Sequence, residues 1–276
     1  MRPETIARFE RLPETFLLDI ESLKDEGVKV AGVYCTFAPT ELIRAAGVIP
    51  VGLCGKKQAP IPAAEKVLPT RLCPLIKSSY GYAATETCPF FEASDFLIGE
   101  TTCDGKKKMF ELLERLKPLH VMQLPYSETE AQLSNWRNEI MLLKDFIEQS
   151  AGTRVDESEL RNQIRVQNEQ RRLLKEITYF SANKVVPLTG LDVMSVMESK
   201  NFSVHQQDYA DLLRDLASEL RERVENGVSV CAADAPRILL TGCPVGKGSE
   251  KVLRLIEESG GIVVCQENCT GLKSFD

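Results

Sequence analysis

A chain of 276 residues, 43% hydrophobic and 27% charged, is long enough for two or three compact units with real cores, and its composition is that of an ordinary globular protein. A net charge of -6 argues against nucleic acid as the main partner, because binding phosphate needs a basic surface. No run reaches the roughly 18 uncharged apolar residues of a membrane helix, and the opening Met1-Arg2-Pro3-Glu4-Thr5-Ile6 lacks the apolar core of a signal peptide.

In chain order, residues 3–26 read as helical with a break at Pro13. From Val28 to about Pro125, short β-branched runs alternate with helical ones. Strands are expected near 28–34, 48–53, 95–99 and 119–124, and helices near 40–46, 74–84 and 105–117, the alternation of a parallel sheet covered by helices. From Ser127 to about Asn226 strand signals nearly vanish, while 131–149, 157–180 and 204–224 carry apolar residues at helical spacing. The α/β pattern resumes with a strand at 237–241, a Gly-rich turn, a helix at 249–258 and a strand at 262–265. The fold class is therefore α/β: a parallel-sheet α/β domain over 1–126, a helical segment over 127–232, and an incomplete second α/β domain over 233–276. One strand–helix–strand unit has too few neighbours to stand alone, so the chain reads as cut partway through that domain. The expectation is a poorly ordered, protease-sensitive tail beyond about Pro236.

Nine cysteines are an odd number for disulfide pairing. The expected compartment is cytoplasmic and reducing, where cysteines are metal ligands or catalytic groups sooner than disulfides. Cys35, Cys54 and Cys243 each end a strand-like run, and Cys103 follows Phe96-Leu97-Ile98-Gly99 just before a helical pattern with Asp104 as its expected N-cap. Ligands collect at the carboxyl ends of parallel strands, and a helix N-terminus favours thiolate. The separations of Cys35, Cys73, Cys88 and Cys103, 38, 15 and 15 residues, match neither a ferredoxin nor a zinc ribbon. Cys73-Pro74 and Cys88-Pro89 both put a proline, which has no amide proton and a fixed φ, directly after the cysteine.

These residues carry a resemblance. Cys35-Thr36-Phe37-Ala38-Pro39-Thr40-Glu41, Leu72-Cys73-Pro74-Leu75, Thr101-Thr102-Cys103-Asp104-Gly105-Lys106, Thr241-Gly242-Cys243-Pro244 and Glu267-Asn268-Cys269-Thr270-Gly271 resemble the 2-hydroxyacyl-CoA dehydratase and benzoyl-CoA reductase family. The extra cysteines at 35, 88 and 269 make the chain most similar to its double-cubane branch. The resemblance implies an iron–sulfur cluster, [4Fe-4S] or a bridged double cubane, held by Cys35, Cys73, Cys88, Cys103 and Cys269. Glu41, near Cys35 in the sequence, is the candidate proton carrier, with a plain helix-start carboxylate as the favoured reading. It also implies a separate ATP-hydrolysing iron–sulfur activator, a homodimer or heterodimer, and a small-molecule or acyl-CoA substrate; ATP enters only through the activator. Three functions stay open: a double-cubane reductase subunit, a single-cluster dehydratase subunit, and a non-catalytic carrier or truncated remnant.

Other features take plainer readings. Gly242-Cys243-Pro244-Val245-Gly246-Lys247-Gly248-Ser249 fails the phosphate-loop pattern, with Lys247 and Gly248 interchanged, and reads as a structural turn. Lys106, Lys107 and Lys108 point three ways on a helix and read as a solvated face, with activator docking or coenzyme A phosphate as the functional alternative. His120 and His205, the only histidines, give Cys–His zinc chemistry little support. Cys103 is the best single ligand candidate and Cys231, in a polar connection, the worst.

Overall fold

The computed structural model describes residues 2–275. It divides into two compact units, here the N-terminal unit, Leu17–Ile164, and the C-terminal unit, Met1–Phe16 with Arg165–Asp276. The first helix, α1 (Ile6–Asp25), runs through Pro13 without the expected break. Proline removes one intrahelical bond, but Phe9 and Phe16, seven apart on one face, are each buried to 1% exposure and pack edge-on against Tyr209 and Phe202. Burial of two aromatic rings outweighs one lost backbone bond.

In the N-terminal unit follow β1 (Val30–Val33), α2 (Thr40–Ala45), β2 (Ile49–Gly52), α3 (Ile61–Ala64), α4 (Pro74–Ala84), α5 (Pro89–Ala93), β3 (Phe96–Glu100), α6 (Asp104–Leu113), β4 (Leu119–Met122) and α7 (Glu130–Ala151). The strands form one parallel sheet in the order β2-β1-β3-β4. Every residue of β1 and β3 is buried, which is why both strands read as continuous apolar runs: a central parallel strand is covered on both faces. Ala31, Phe96 and Ile98 share a core with Leu143 and Ile147 of α7, and Trp136 packs against it. Gly99 is demanded by close approach, since a Cβ there would meet the Phe110 ring at 2.7 Å.

The helix α8 (Glu157–Tyr179) crosses the boundary into the C-terminal unit, followed by α9 (Gly190–Ser199), α10 (Gln206–Glu225), β5 (Arg237–Thr241), α11 (Lys251–Glu258) and β6 (Ile262–Glu267). α9 is not among the expected helices. Its start is a capping box in which the Thr189 hydroxyl accepts from the Asp192 amide and the Asp192 carboxylate accepts from the Thr189 amide. β5 and β6 pair in parallel. β5 alternates between half-buried and exposed, with Leu239 59% exposed.

Candidate functional site: two cysteine-bearing sheet edges

Because β2, β1 and β3 run side by side in one direction, their carboxyl ends share an edge, with neighbouring strands about 4.8 Å apart. Leu53-Cys54 leaves β2, Tyr34-Cys35 leaves β1, and Thr101-Thr102-Cys103 leaves β3. Three cysteines are helix N-caps: Cys73 of α4, Cys88 of α5 and Cys103 of α6, the first two followed by proline at the first helical position. The expected cap Asp104 is instead the first residue of α6, its side chain exposed and bonded to Lys107 at 3.1 Å. Cys103 takes the cap position because its extended backbone (φ -163°, ψ 160°) continues the strand's course into the helix.

Cys35 has the most elaborate surroundings. Its backbone is left-handed, φ 75°, a conformation costly for a residue with a Cβ. The next turn is gathered by Glu100, the last residue of β3, which has no exposed surface. Glu100 Oε1 accepts from the amides of Phe37 (2.7 Å) and Ala38 (2.6 Å), while Oε2 is buried without a partner. Burial pushes the Glu100 carboxyl up to about 7, against the pull of the Ala38 and Phe37 amides and of Lys106. The Cys35 sulfur lies 3.4 Å from Thr102 Oγ1 and accepts from Lys106 Nζ. Burial raises the Cys35 thiol, and the Lys106 ammonium opposes that rise. Lys106 is therefore no part of a solvated face: it is 9% exposed, and its charge also reaches Cys54. Lys107 and Lys108 do face solvent, paired with Asp104 and Glu111.

Cys73 and Cys103 are exposed, and Cys54 and Cys88 half-buried. Burial pushes the Cys88 thiol up, opposed by the Phe91 and Phe90 amides at the start of α5. Glu41 is buried in the first turn of α2, within the field of Arg44. His120, on β4, stacks on Phe146 at 5.3 Å with Nε2 buried and unpartnered; burial lowers its pKa.

The C-terminal unit repeats the pattern on a smaller sheet. Cys243 stands two residues past β5 and Cys269 two past β6, at the same edge of a parallel pair. Asn268, with no exposed surface, accepts from the Thr270 amide (3.0 Å). The Thr270 hydroxyl accepts from the Val245 amide (3.1 Å) and lies 2.6 Å from the Val245 carbonyl. The loop at 246–249 has its amides already taken: Gly246 by Ser249 (3.2 Å), Lys247 by Glu198 (2.9 Å) and Gly248 by Glu250 (2.5 Å). No donors among these are left for a phosphate. Cys231 lies in the connection before β5, 3.8 Å from Ser229 Oγ.

The donors suit an iron–sulfur cluster in kind: sulfur alone, at strand ends and helix N-caps, with an ammonium beside one of them. They are spread over separate segments, and among the described residues no three of His, Cys, Asp and Glu gather into a metal-holding group. The sequence pattern singles out the cysteines and misses Glu100, Thr102 and Lys106. Two signals point to the charged pair: an acidic residue closing an apolar parallel strand, and a lysine in the first turn of a helix, where the dipole disfavours a cation.

Residues 35–276 match the family model described as 2-hydroxyglutaryl-CoA dehydratase, D-component. The chain belongs to that family. It is 41% identical over 275 residues, 99% of its length and 71% of the relative's, to the protein named "Putative dehydratase subunit YjiM" of Escherichia coli (strain K12). It is 22% identical to the lactoyl-CoA dehydratase subunit beta of Anaerotignum propionicum, covering 79% of this chain and 56% of the relative. It is 21% identical to one of the subunits of the benzoyl-CoA reductase of Thauera aromatica, covering 95% of this chain and 67% of the relative. These relatives are longer than the stretch this chain matches. No helix among the described residues is long and apolar enough to cross a membrane.

Proposed function

We propose that the chain is an iron–sulfur reductase subunit of the double-cubane type, which takes low-potential electrons from an ATP-hydrolysing activator to reduce a small substrate. The observation that carries this reading is the placement of Cys54, Cys35 and Cys103 after the carboxyl ends of three neighbouring parallel strands, in a chain with a benzoyl-CoA reductase subunit among its relatives. Cys35, Cys73, Cys88 and Cys103 are the candidate cluster ligands of the N-terminal unit and Cys269 that of the C-terminal unit, and a bound cluster would supply one-electron chemistry at low potential. The chain's own part is to orient the thiols. Lys106 Nζ donates to the Cys35 sulfur and favours its anionic form, the form that binds metal. Glu41, buried beside Arg44, is the candidate proton carrier. A cytoplasmic location, a homodimer or heterodimer and an acyl-CoA or other small substrate belong to the same proposal.

The dehydratase names of the family and of two relatives favour a second reading, a single [4Fe-4S] subunit of a 2-hydroxyacyl-CoA dehydratase. Iron and sulfide analysis after anaerobic reconstitution separates the two: about eight irons per chain for the double cubane, about four for the single cluster. No bound iron would count against both cluster readings and against a cluster carrier. Within either cluster reading, Cys103→Ser is expected to lose cluster absorbance and Cys231→Ser to keep it. Equal loss in both would remove the basis for choosing ligands by their place at strand and helix ends.

A further inference from the structure

Cys35 breaks a rule of local structure. A cysteine gains nothing intrinsic from a left-handed backbone, and glycine would adopt φ 75° at far lower cost. Such a conformation persists only where its surroundings over-determine it. Here the constraint is visible. After a left-handed residue, successive backbone amides turn toward one point and form a concave nest for an anion. The nest after Cys35 is already filled from within the chain: the amides of Phe37 and Ala38 both point at Glu100 Oε1, at 2.7 and 2.6 Å.

Glu100 is anchored independently of that turn. It is the last residue of β3, in register with Met122 of β4 and two residues past Ile98, where the pairing with β1 ends, so its Cα is fixed by the sheet. The same stretch of chain supplies Thr102 and Lys106, the two groups that touch the Cys35 sulfur. Strand β3 and the start of α6 thus hold Cys35 twice, once by its backbone and once by its thiol.

We propose that Glu100 is a positioning residue for Cys35: its buried Oε1 clamps the turn through the Phe37 and Ala38 amides and so holds the thiol against Lys106 Nζ and Thr102 Oγ1. The clamp requires reach and an acceptor oxygen. Glutamine has both. Aspartate keeps the charge but is one methylene too short, and leucine has the bulk without an acceptor. This role stands whether or not the protein carries a cluster, so it is tested on the metal-free chain.

The test is competitive alkylation by iodoacetamide with mass-spectrometric readout, taking the rate at Cys35 relative to Cys103, which is exposed in the same unit. Hydrogen exchange of the peptide spanning residues 34–40 is followed in parallel. Glu100→Asp is expected to raise the Cys35-to-Cys103 ratio and the exchange of the Phe37 and Ala38 amides by about tenfold, the scale of losing a hydrogen bond to a charged group. Glu100→Gln is expected to keep both within about threefold of the parent, a rescue that a general loss of packing would not produce. Glu100→Leu should behave like Glu100→Asp if it folds, and the Asp–Gln contrast decides the matter if it does not. Equal ratios in the parent, Asp and Gln proteins, with emission from Trp136 unchanged, would overturn the proposal. So would Asp matching the parent while Gln resembled Leu, because charge rather than reach would then be what counts.

Discussion

The two cysteine-bearing edges are built from the same motif and held by different chemistry. In the N-terminal unit, the turn after β1 is tied by a carboxyl with no exposed surface and the thiol by an ammonium. In the C-terminal unit, the link between the turns after β5 and β6 is made by neutral groups, Asn268 to Thr270 and Thr270 to Val245, beside the carboxylates of Glu198, Glu250 and Glu267 that bond neighbouring groups of the same edge. The sheets beneath them differ in the same sense. β3 is buried along its length, whereas β5 exposes alternate residues. A buried carboxyl clamp is strong only where the sheet around it excludes water, because low polarity strengthens a hydrogen bond and also raises the penalty for leaving it unmade. A half-covered sheet supports neutral bonds with less at stake.

The largest effect expected from this contrast is in the strands themselves. Ile98 of β3 has no exposed surface, and Leu239 of β5 is 59% exposed. Ile98→Ala removes buried methyl groups and leaves a cavity, for a loss of about 2–5 kcal/mol. Leu239→Ala should stay within about 0.5 kcal/mol. Trp136 is the only tryptophan and packs on the N-terminal core, so its emission during urea unfolding reports that unit, with far-UV circular dichroism for the whole chain. Equal losses would mean that the outer side of β5 is covered in solution, and the contrast between the sheets would fail.

Next in size is the response to pH. In the folded chain the Glu100 carboxyl is pushed by burial up to about 7, from an ordinary value of 4.5. Between those values the folded state binds more protons than the unfolded state, so stability falls as pH rises. The contribution is fully present below about 4.5 and gone above about 7, a change of about 3 kcal/mol. Asp95 and Glu148 are held below their ordinary values. These two and His120, lowered by burial, are shared by the parent and Glu100→Gln, so their contributions cancel in the comparison of the two proteins. Urea midpoints at pH 5 and pH 8 are expected to differ more in the parent than in Glu100→Gln. An identical difference in the two proteins would show that the carboxyl is not held neutral.

Much of this architecture is legible in the residues, and the parts that are not have physical causes. Continuous apolar runs and alternation of strand with helix locate the six strands of the described residues, because a parallel sheet demands both. The helix expected at 74–84 begins at the proline after Cys73, whereas the short α5 after Cys88-Pro89 is not among the expected helices. Pro13 misleads because tertiary burial of Phe9 and Phe16 overrides a local rule. α9 escapes because its apolar side is short, although Thr189 followed three residues later by Asp192 is a capping signature. Glu100 and Lys106 are invisible to periodicity for a deeper reason. Their burial is set by partners 62 to 71 residues away in the chain, and a charged residue carries no sign of whether such a partner exists.

The smallest expected effect lies in the neutral clamp, and its constancy is what sharpens the comparison. The Thr270 hydroxyl has one proton and two lone pairs. It accepts from the Val245 amide at 3.1 Å, and its proton has the Val245 carbonyl at 2.6 Å and Asn268 Oδ1 at 2.9 Å as acceptors. Thr270→Val keeps the shape and removes the hydroxyl, so the Val245 amide and carbonyl lose their partner on the Cys269 loop. The expected loss is about 1 kcal/mol, the net worth of a neutral bond. Exchange at the Val245 amide should quicken accordingly. Because neither clamping group ionises, the loss should be the same at pH 5 and pH 8, in contrast to Glu100. A Thr270→Val effect that grew or vanished across that range would place an ionising group in the C-terminal clamp, and the distinction between an ionisable clamp and a neutral one would no longer separate the two units.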